Sequence, residues 1–351
     1  MVSLMEKEEL KQKNENIKNK ISKSKLIIKI IVIILVIILV IFGSIATFVY
    51  SKLNKLKYQN LSNDVNIYKN DMTENEALDE DDIKGVTTFV LMGADGNDDE
   101  STNRSDTIML FTINANKKTL SLITIPRDSF VYIPQLATWT KINGAYYHGG
   151  PEYLLSTINY NFGLNVDKYA AIDVQNLIYV IDYLGGVDVT ITQAEMNYIN
   201  NNQYIKALKY SGHQYKALSS YGNVTLNGDQ ALTHLRNRAD ENMDYGREKR
   251  NRDIIESLTK KISNLETSKI LDFLDVVLPK ITTNVNVTEY LSVIYDVLKN
   301  KNSYLKNITS VQVPNTSYCH DEYTWDGVWC LGIDFDKAKI DFIKYIYGVE
   351  E

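Results

Sequence analysis

Residues 86–125 read VTTFVLMGADGNDDESTNRSDTIMLFTINANKKTLSLITI and contain three apolar runs rich in β-branched residues. The first run is Val86–Met92; the second and third, Thr107–Ile113 and Leu120–Ile125, flank the polar segment Asn114–Lys118. Runs of this length and composition predict β-strands, and a short polar connection between two of them predicts a hairpin. This stretch therefore predicts the centre of a β-sheet.

Helices and strands alternate in the residues that follow. Pro151 at a first turn and Gly163 as a stop predict one helix, and Gly185-Gly186 closes a second helix over Val174–Leu184. Further elements are predicted as strands at Tyr169–Asp173 and Val187–Ile191, a helix over Gln230–Arg236 capped by Asn227, and a helix over Arg247–Ser263. The alternation predicts a mixed α/β (α+β) fold, with a central mixed β-sheet and helices on both faces.

The composition is that of an ordinary globular protein. The 351 residues are 44% hydrophobic and 23% charged, with a formal net charge of −6. A general nucleic-acid binder normally carries a basic face, so this balance argues against nucleic acid as a partner. The four histidines show no metal-ligand spacing, and neither a Gly-x-Ser-x-Gly elbow nor a P-loop occurs.

The N-terminal part predicts a membrane anchor. Residues 30–50 are 21 consecutive uncharged, mostly apolar residues, and a helix needs roughly 20 to cross a bilayer. More lysines precede this segment than follow it, which favours a cytoplasmic tail over residues 1–29 and an extracellular remainder. The acidic stretch 51–84 is predicted to be a solvated linker and 85–351 the outer domain. The alternative is a cleaved signal peptide, whose apolar region spans only about 7 to 15 residues.

The two cysteines, Cys319 and Cys330, lie close together in a segment rich in aromatic residues and turn formers. A nearby pair persists as a disulfide outside the membrane, so we expect a bridge that closes a short hairpin. Two free thiols are the alternative.

Arginine is scarce and confined to the middle of the chain. Only seven of the 38 Lys and Arg residues are arginine: Arg104, Arg127, Arg236, Arg238, Arg247, Arg250 and Arg252. Arginine grips phosphate oxygens through two parallel hydrogen bonds, whereas lysine acts as a point charge. A phosphate or pyrophosphate site explains this distribution most simply.

The spacing within the predicted helix 247–263 supports such a site. Arg247, Arg250 and Asn251 stand at positions i, i+3 and i+4 and share one face of its first turns. The positive end of the helix dipole favours an anion there. The alternative is a solvated basic helix start.

Carboxylates stand at the ends of the predicted strands. Asp95 follows the first strand, Asp106 begins the second, and Asp128 follows Arg127 after the third. Carboxylate oxygens together with phosphate oxygens and water hold Mg²⁺. Asp95 and Asp106 are therefore the predicted metal ligands, whereas Asp128 is predicted to form a structural ion pair with Arg127.

The chain also resembles the LytR-CpsA-Psr family of cell-envelope proteins, in order and spacing, over residues 86–260. The matching stretches are VLMGAD (90–95), RSDT (104–107), IPRD (125–128), KINGAY (141–146), LGGV (184–187), LNGDQAL (226–232), RNR (236–238) and GREKR (246–250). The N-terminal anchor matches as well.

The resemblance implies a phosphotransferase that moves a glycopolymer (teichoic acid, capsule or another secondary wall polymer) from a polyprenyl-pyrophosphate carrier to peptidoglycan through a phosphodiester. It implies Mg²⁺, or Mn²⁺, on Asp95 and Asp106. Phosphate-gripping roles carry over to Arg104, Arg127, Arg236, Arg238, Arg247 and Arg250. Within this set Asp95, Arg127 and Arg238 are the expected catalytic residues. Asn251 departs from the glutamine common in the family.

Two other functions stay open at this stage. In the first, the same site serves a hydrolase that cleaves lipid pyrophosphates with water as the acceptor. A non-enzymatic polyprenyl-phosphate-binding or regulatory protein is the other, although 29 cytoplasmic residues are too few for a DNA-binding domain that folds alone. The glycopolymer, the acceptor, the oligomeric state and the role of residues 265–351 are not given by the sequence.

Overall fold

The computed structural model describes residues 55, 57–61, 67–72, 78–94, 105–201, 216–237, 243–286 and 291–349. The predicted tail 1–29 and membrane segment 30–50 lie outside them. Within the described ranges, no helix has the length and apolar character needed to cross a bilayer. Residues 56–351 form one unit by their internal contacts.

The strands are β1 (Lys57–Tyr58), β2 (Val86–Ala94), β3 (Ser105–Asn114), β4 (Thr119–Ile125), β5 (Phe130–Ile133), β6 (Thr138–Lys141), β7 (Tyr169–Asp173), β8 (Val187–Ile191), β9 (Gly222–Leu226), β10 (Ile281–Thr283), β11 (Ile308–Gln312), β12 (Cys319–Tyr323) and β13 (Trp329–Ile333). The α-helices are α1 (Glu80–Ile83), α2 (Asn143–Phe162), α3 (Val174–Tyr183), α4 (Gln193–Asn201), α5 (Gly228–Leu235), α6 (Met243–Ser263), α7 (Thr267–Val277), α8 (Leu291–Lys299), α9 (Lys301–Lys306) and α10 (Phe335–Tyr347).

Seven strands form a mixed central sheet in the order β1-β10-β7-β2-β3-β4-β11. The β2–β3, β3–β4 and β10–β7 pairs are antiparallel, and the β1–β10, β2–β7 and β4–β11 pairs are parallel. The predicted hairpin of β3 and β4 and the mixed central sheet are confirmed. The predicted strand β8 belongs instead to a separate two-stranded sheet with β9.

Helices cover both faces of the central sheet, as predicted. On one face Val90, Ile108 and Ile123 pack in a core with Leu154 of α2 and Phe342 of α10, all fully buried. Burying one such side chain contributes roughly 1.5–3 kcal/mol. The opposite face turns towards α3, α5, α6 and α7, because residues alternate between faces along a strand.

The helix predicted to begin at Pro151 has an additional first half. Helix α2 starts at Asn143 and is interrupted at Gly149 and at Gly150, whose φ is +60° and ψ −151°. That conformation is open to glycine and strained for other residues. Pro151 then begins the second half, and Gly163 ends it in the left-handed conformation, as predicted.

The described part of 51–84 packs on the domain, unlike the solvated linker expected from its acidic composition. Strand β1 pairs with β10, and Met72 and Leu78 are buried in the main core. The Asn70 amide donates to the carbonyl oxygens of Asn159 and Leu164 at 2.9 and 2.6 Å. Single apolar side chains without periodicity gave no signal of this packing.

The C-terminal residues complete the same sheet and core. Strand β11 pairs with β4 at the sheet edge, and Phe342 and Ile346 of α10 are buried in the core of the first face. Residues beyond 260 are therefore integral to the domain.

The predicted hairpin around the two cysteines is confirmed as β12 and β13, but the predicted disulfide is wrong. Both Cys319 and Cys330 are free. In the antiparallel register Cys319 pairs with Ile333 and Cys330 with Glu322. The cysteines are thus three positions out of register, on opposite faces of the hairpin, where no bridge can form.

Candidate functional site

Strand ends that carry the predicted site residues meet at one edge of the central sheet. Ala94, at the end of β2, pairs with both Ser105 of β3 and Asp173 of β7. Ile125, at the end of β4, pairs with Ile108 of β3. Rigid strand ends commonly hold functional side chains. The topology therefore brings the sequence neighbourhoods of Asp95, Arg104, Asp106 and Arg127 to one edge, although Asp95 and Arg104 themselves lie outside the described residues.

Asp106 occupies a β-bulge at this edge. Gly93 pairs with Thr107 and Ala94 with Ser105, so the register skips Asp106. Bulges redirect a side chain and are frequent beside active sites. Only the backbone of Asp106 is described. A Cβ atom added at Gly93 would lie only 3.2 Å from the Thr107 Cβ atom, so the two strands leave little room for a side chain at Gly93.

Arg127 is held by a buried carboxylate. Its Nε donates to Asp128 Oδ2 at 3.2 Å, and Lys141 Nζ donates to Asp128 Oδ1 at 2.5 Å. The Asp128 side chain is 7% exposed, whereas those of Arg127 and Lys141 are 16% and 24% exposed. The predicted Arg127–Asp128 ion pair is confirmed, and Asp128 orients two cations at the edge of the sheet. Lys141, at the start of the KINGAY motif, was not among the predicted site residues.

Helix α5 carries Arg236 at its C-terminal end. Asn227 and Gln230 form a capping box at its start, as the sequence predicted for Asn227. Arg236 is the C-cap residue, and its carbonyl oxygen accepts a hydrogen bond from the Tyr198 hydroxyl at 3.2 Å. His234, two residues earlier, is buried, and burial lowers its pKa to about 4, so the imidazole is neutral near pH 7. Arg238 lies outside the described residues.

Arg250 is engaged inside the protein. Helix α6 begins at Met243 and not at Arg247, so Arg247 and Arg250 lie beyond the first turn and the predicted dipole effect on an anion does not apply to them. The Arg250 side chain is 4% exposed; its guanidinium donates to Glu195 Oε1 at 3.4 Å and to the Asn237 carbonyl at 2.6 Å. Arg250 thus ties α6 to α4 and to the end of α5. The side chains of Arg247 and Asn251 are not described.

A polar cavity of about 410 Å³ opens beside β7 at the same edge. Lys280 and Asp173 line it, together with His148 and the Gly149-Gly150 break of α2. Asp173 caps α3 by accepting from the backbone N–H of Asn176 at 2.6 Å. Lys280 was not predicted as a site residue, because lysines are common in this chain and only the fold places this one at the edge.

An apolar cavity of about 460 Å³ lies between the second face of the sheet and the helices α3, α5, α6 and α7. Its walls include Met109 and Phe111 of β3, Val180 of α3, Leu258 of α6 and Phe273 of α7. It continues to the charged edge: Gly93, Thr107 and Leu235 also line it, and they stand within two positions of Asp95, Asp106 and Arg236 in the sequence. An apolar cavity of this size suits a hydrocarbon ligand.

The donor set of the candidate site suits a hard divalent cation. Asp95 and Asp106 bring carboxylate oxygens, which Mg²⁺ and Mn²⁺ prefer, and the backbone of Asp106 lies in the bulge at this edge. Among the described residues, no group of three or more His, Cys, Asp or Glu side chains is arranged to hold a metal.

Residues 48–341 match the LytR_cpsA_psr family. The chain is a LytR-CpsA-Psr protein. The match extends beyond the predicted 86–260, in agreement with the sheet and core positions of the C-terminal residues.

Individual relatives agree with this membership. The polyisoprenyl-teichoic acid–peptidoglycan teichoic acid transferase TagU of Bacillus cereus is 29% identical over 255 residues, which cover 72% of this chain and 76% of TagU. The solved structure of protein gbs0355 from Streptococcus agalactiae is 26% identical, covers 75% of this chain and 89% of its own, and has a TM-score of 0.62. TagT bound to LI-WTA is 20% identical, covers 82% and 99%, and has a TM-score of 0.60.

Proposed function

We propose that this LytR-CpsA-Psr protein transfers a wall glycopolymer from a polyprenyl-pyrophosphate carrier to peptidoglycan and joins the two by a phosphodiester. The apolar cavity that reaches the charged edge of the sheet carries this proposal, because it offers a hydrocarbon site and a phosphate site in direct succession. The activity in the name of its relative TagU supports it.

The pyrophosphate lies at the strand-end edge in this proposal. Its oxygens are bound by five arginines: Arg104, Arg127, Arg236, Arg238 and Arg247. Asn251 adds an amide on a shorter side chain than the family's usual glutamine. The ion pair with Asp128 fixes the direction of the Arg127 side chain. Arg250, buried and bound to Glu195, is assigned a supporting role that holds the ends of α5 and α6 together.

The chemistry is phosphoryl transfer. An acceptor sugar hydroxyl attacks the glycan-side phosphorus, the bond from that phosphorus to the bridging oxygen breaks, and polyprenyl phosphate leaves. Asp95 receives the proton of the hydroxyl. Arg127 and Arg238 stabilise the negative charge that spreads over the phosphoryl oxygens, which is the main demand of this reaction. When bound by Asp95 and Asp106, Mg²⁺ or Mn²⁺ supplies further charge neutralisation.

The polyprenyl chain occupies the apolar cavity. Helix α3 lines this cavity, whereas α2 packs on the opposite face of the sheet. The predicted membrane helix over residues 30–50 holds the domain at the outer surface of the cell membrane, where the lipid carrier lies.

Reconstituted transfer tests the proposal. The full chain, solubilised in detergent with Mg²⁺, receives a short lipid-pyrophosphate-linked glycan and a peptidoglycan acceptor, and formation of the phosphodiester is measured. Arg127→Ala and Arg238→Ala are expected to lower the rate by about a hundredfold or more. Lys84→Ala, an exposed change far from the site, serves as the control. Unchanged transfer by both arginine variants would contradict the arginine grip. Glycan phosphate released without coupling would identify a hydrolase, and lipid binding without turnover a regulatory protein.

A further inference from the structure

An exposed aromatic groove lies next to the candidate site. It forms a cavity of about 510 Å³ between the β5–β6 and β12–β13 hairpins. Phe130, Trp139, Trp325 and Phe335 line it; the Trp139 side chain is 45% exposed and that of Trp325 is 94% exposed. Exposing large aromatic rings to water is unfavourable in free energy, so a groove of this kind indicates a binding surface.

Further rings extend the groove into a ribbon. The ring centroids of Phe130 and Trp139 are 5.5 Å apart, those of Trp139 and Tyr132 are 5.7 Å apart, and those of Tyr132 and Tyr160 are 5.4 Å apart. Tyr68 continues the series 5.0 Å from Tyr160. Repeated rings at this spacing suit a polymer of ring-shaped units. In the sequence these residues are scattered from 68 to 335, and only the fold joins them.

The groove is continuous with the candidate site. Phe130 pairs with Lys141, the lysine bound to Asp128, and Lys141 Nζ lies 5.5 Å from the ring centroid of Trp329. The Leu331 backbone N–H of β13 donates to the Asp128 carbonyl at 2.8 Å. Phe130, which lines the groove, stands three residues after Arg127 in the chain, so a polymer seated in the groove has one end next to the candidate site.

Charge selects the class of polymer. The described residues that line the groove include one carboxylate, Glu322, and no lysine or arginine. The lining therefore offers no counter-charge to the anionic phosphates of teichoic acids, nucleic acids and lipid surfaces. A neutral sugar chain needs none: the C–H face of a pyranose packs on the negative face of an aromatic ring, and His320 and Glu322 can bond to its hydroxyl groups.

We infer that the aromatic ribbon binds the neutral glycan backbone of peptidoglycan and presents its sugar hydroxyl to the transfer site. This inference rests on the proposed function for the identity of the acceptor, but glycan binding is measurable without any transfer. The chain has three tryptophans, Trp139, Trp325 and Trp329, and all three lie in or beside the groove, so the intrinsic fluorescence reports on it directly.

The test is a titration of the detergent-solubilised full chain with chitotetraose, a neutral β-1,4-linked sugar, in the absence of donor lipid. We expect a saturable fluorescence change, and calorimetry is expected to give an affinity at least about tenfold lower for Trp139→Ala and Trp325→Ala. Tyr295→Ala, which removes an aromatic ring 66% exposed on α8, is the matched control and should bind as the wild type does. Trp325→Ala decides the matter if Trp139→Ala does not fold.

Three results would overturn the inference: no saturable change with the wild type, equal affinity of the tryptophan variants, or a change with anionic vesicles and none with the sugar. The outcome is separable from that for the proposed function. Sugar binding by a chain that performs no transfer would remove the transferase proposal alone, and transfer by a chain that does not bind the sugar would remove the ribbon alone.

Discussion

Arg250 and Glu195 form an ion pair that solvent scarcely reaches. Their side chains are 4% and 13% exposed, and Arg250 Nη1 lies 3.4 Å from Glu195 Oε1. Because the second terminal nitrogen of Arg250 donates to the Asn237 carbonyl at 2.6 Å, the guanidinium connects three segments of the chain. Sequence spacing assigned this arginine to the phosphate, whereas its burial and its two partners favour a structural role.

Loss of Arg250 should therefore unfold the protein more readily. Arg250→Met leaves the Glu195 carboxylate without this cation, and we expect a loss of about 3 kcal/mol in the free energy of unfolding, with a similar loss for Glu195→Gln. The double variant should lose less stability than the sum of the losses in the two single variants. Lys249→Met, a neighbouring side chain 67% exposed, should change stability by less than about 0.5 kcal/mol. Urea unfolding measures all four. A stable Arg250→Met variant that lost only transfer would return Arg250 to the phosphate site.

Local signals gave the correct elements where one short stretch determines the structure. The β3–β4 hairpin, the stop at Gly163 and the cap at Asn227 all follow from residues within a few positions. The start of α6 was wrong because Gly246 has low helix propensity and marks a boundary locally, whereas the folded chain continues the helix through it.

The parts that could not be predicted depend on distant contacts. Nothing near Glu195 in the sequence indicates Arg250, and the pairing of β11 with β4 joins segments almost two hundred residues apart. The predicted disulfide was wrong for the same reason: the short sequence separation of the cysteines suggested a bridge, but the register of the hairpin decides which residues face each other.

Asp128 should support transfer without touching the substrate. Asp128→Asn removes the charge that holds Arg127 and Lys141, and we expect a fall in kcat of about 10- to 100-fold from the misplaced guanidinium. Asp167→Asn, at a side chain 51% exposed and paired with Lys168, is the matched control. Initial transfer rates across donor concentrations separate kcat from KM. Equal rates for Asp128→Asn and the wild type would show that Arg127 does not depend on this ion pair.

The stability of the domain should fall in mild acid because of His234. Burial lowers its folded pKa to about 4 from 6.5, so the unfolded chain binds the proton first as the pH falls. This contribution, on the order of 3 kcal/mol, is complete above pH 6.5 and is lost as the pH falls from 6.5 to 4. His234→Gln should flatten that part of the stability curve, whereas His148→Gln, at an exposed histidine, should not. Thermal midpoints across this pH range provide the measurement, and parallel curves for wild type and His234→Gln would exclude this histidine as the cause.

The two thiols should remain unmodified and unbridged in the folded protein. Burial raises the pKa of Cys319 to about 11 and also raises that of Cys330, so little thiolate is present at pH 8. Iodoacetamide should label both cysteines in urea and label them far more slowly in the native chain, as followed by intact mass. A reducing agent should leave the thermal midpoint unchanged. A native mass two hydrogens lower than the reduced mass would reveal a bridge.

Filling the apolar cavity should weaken use of the lipid donor selectively. Ala170 of β7 lines the cavity, and Ala170→Phe adds a ring to space that the polyprenyl chain is proposed to occupy. We expect KM for a long-chain polyprenyl donor to rise about tenfold or more, with a much smaller change for a short-chain donor, since the loss is one of hydrocarbon binding. Ala194→Phe makes the same substitution at an exposed position of α4 and should leave both constants unchanged. An equal rise in KM for long and short donors would mean that the ring disturbs the phosphate site instead, and no rise for either would mean that the lipid lies elsewhere.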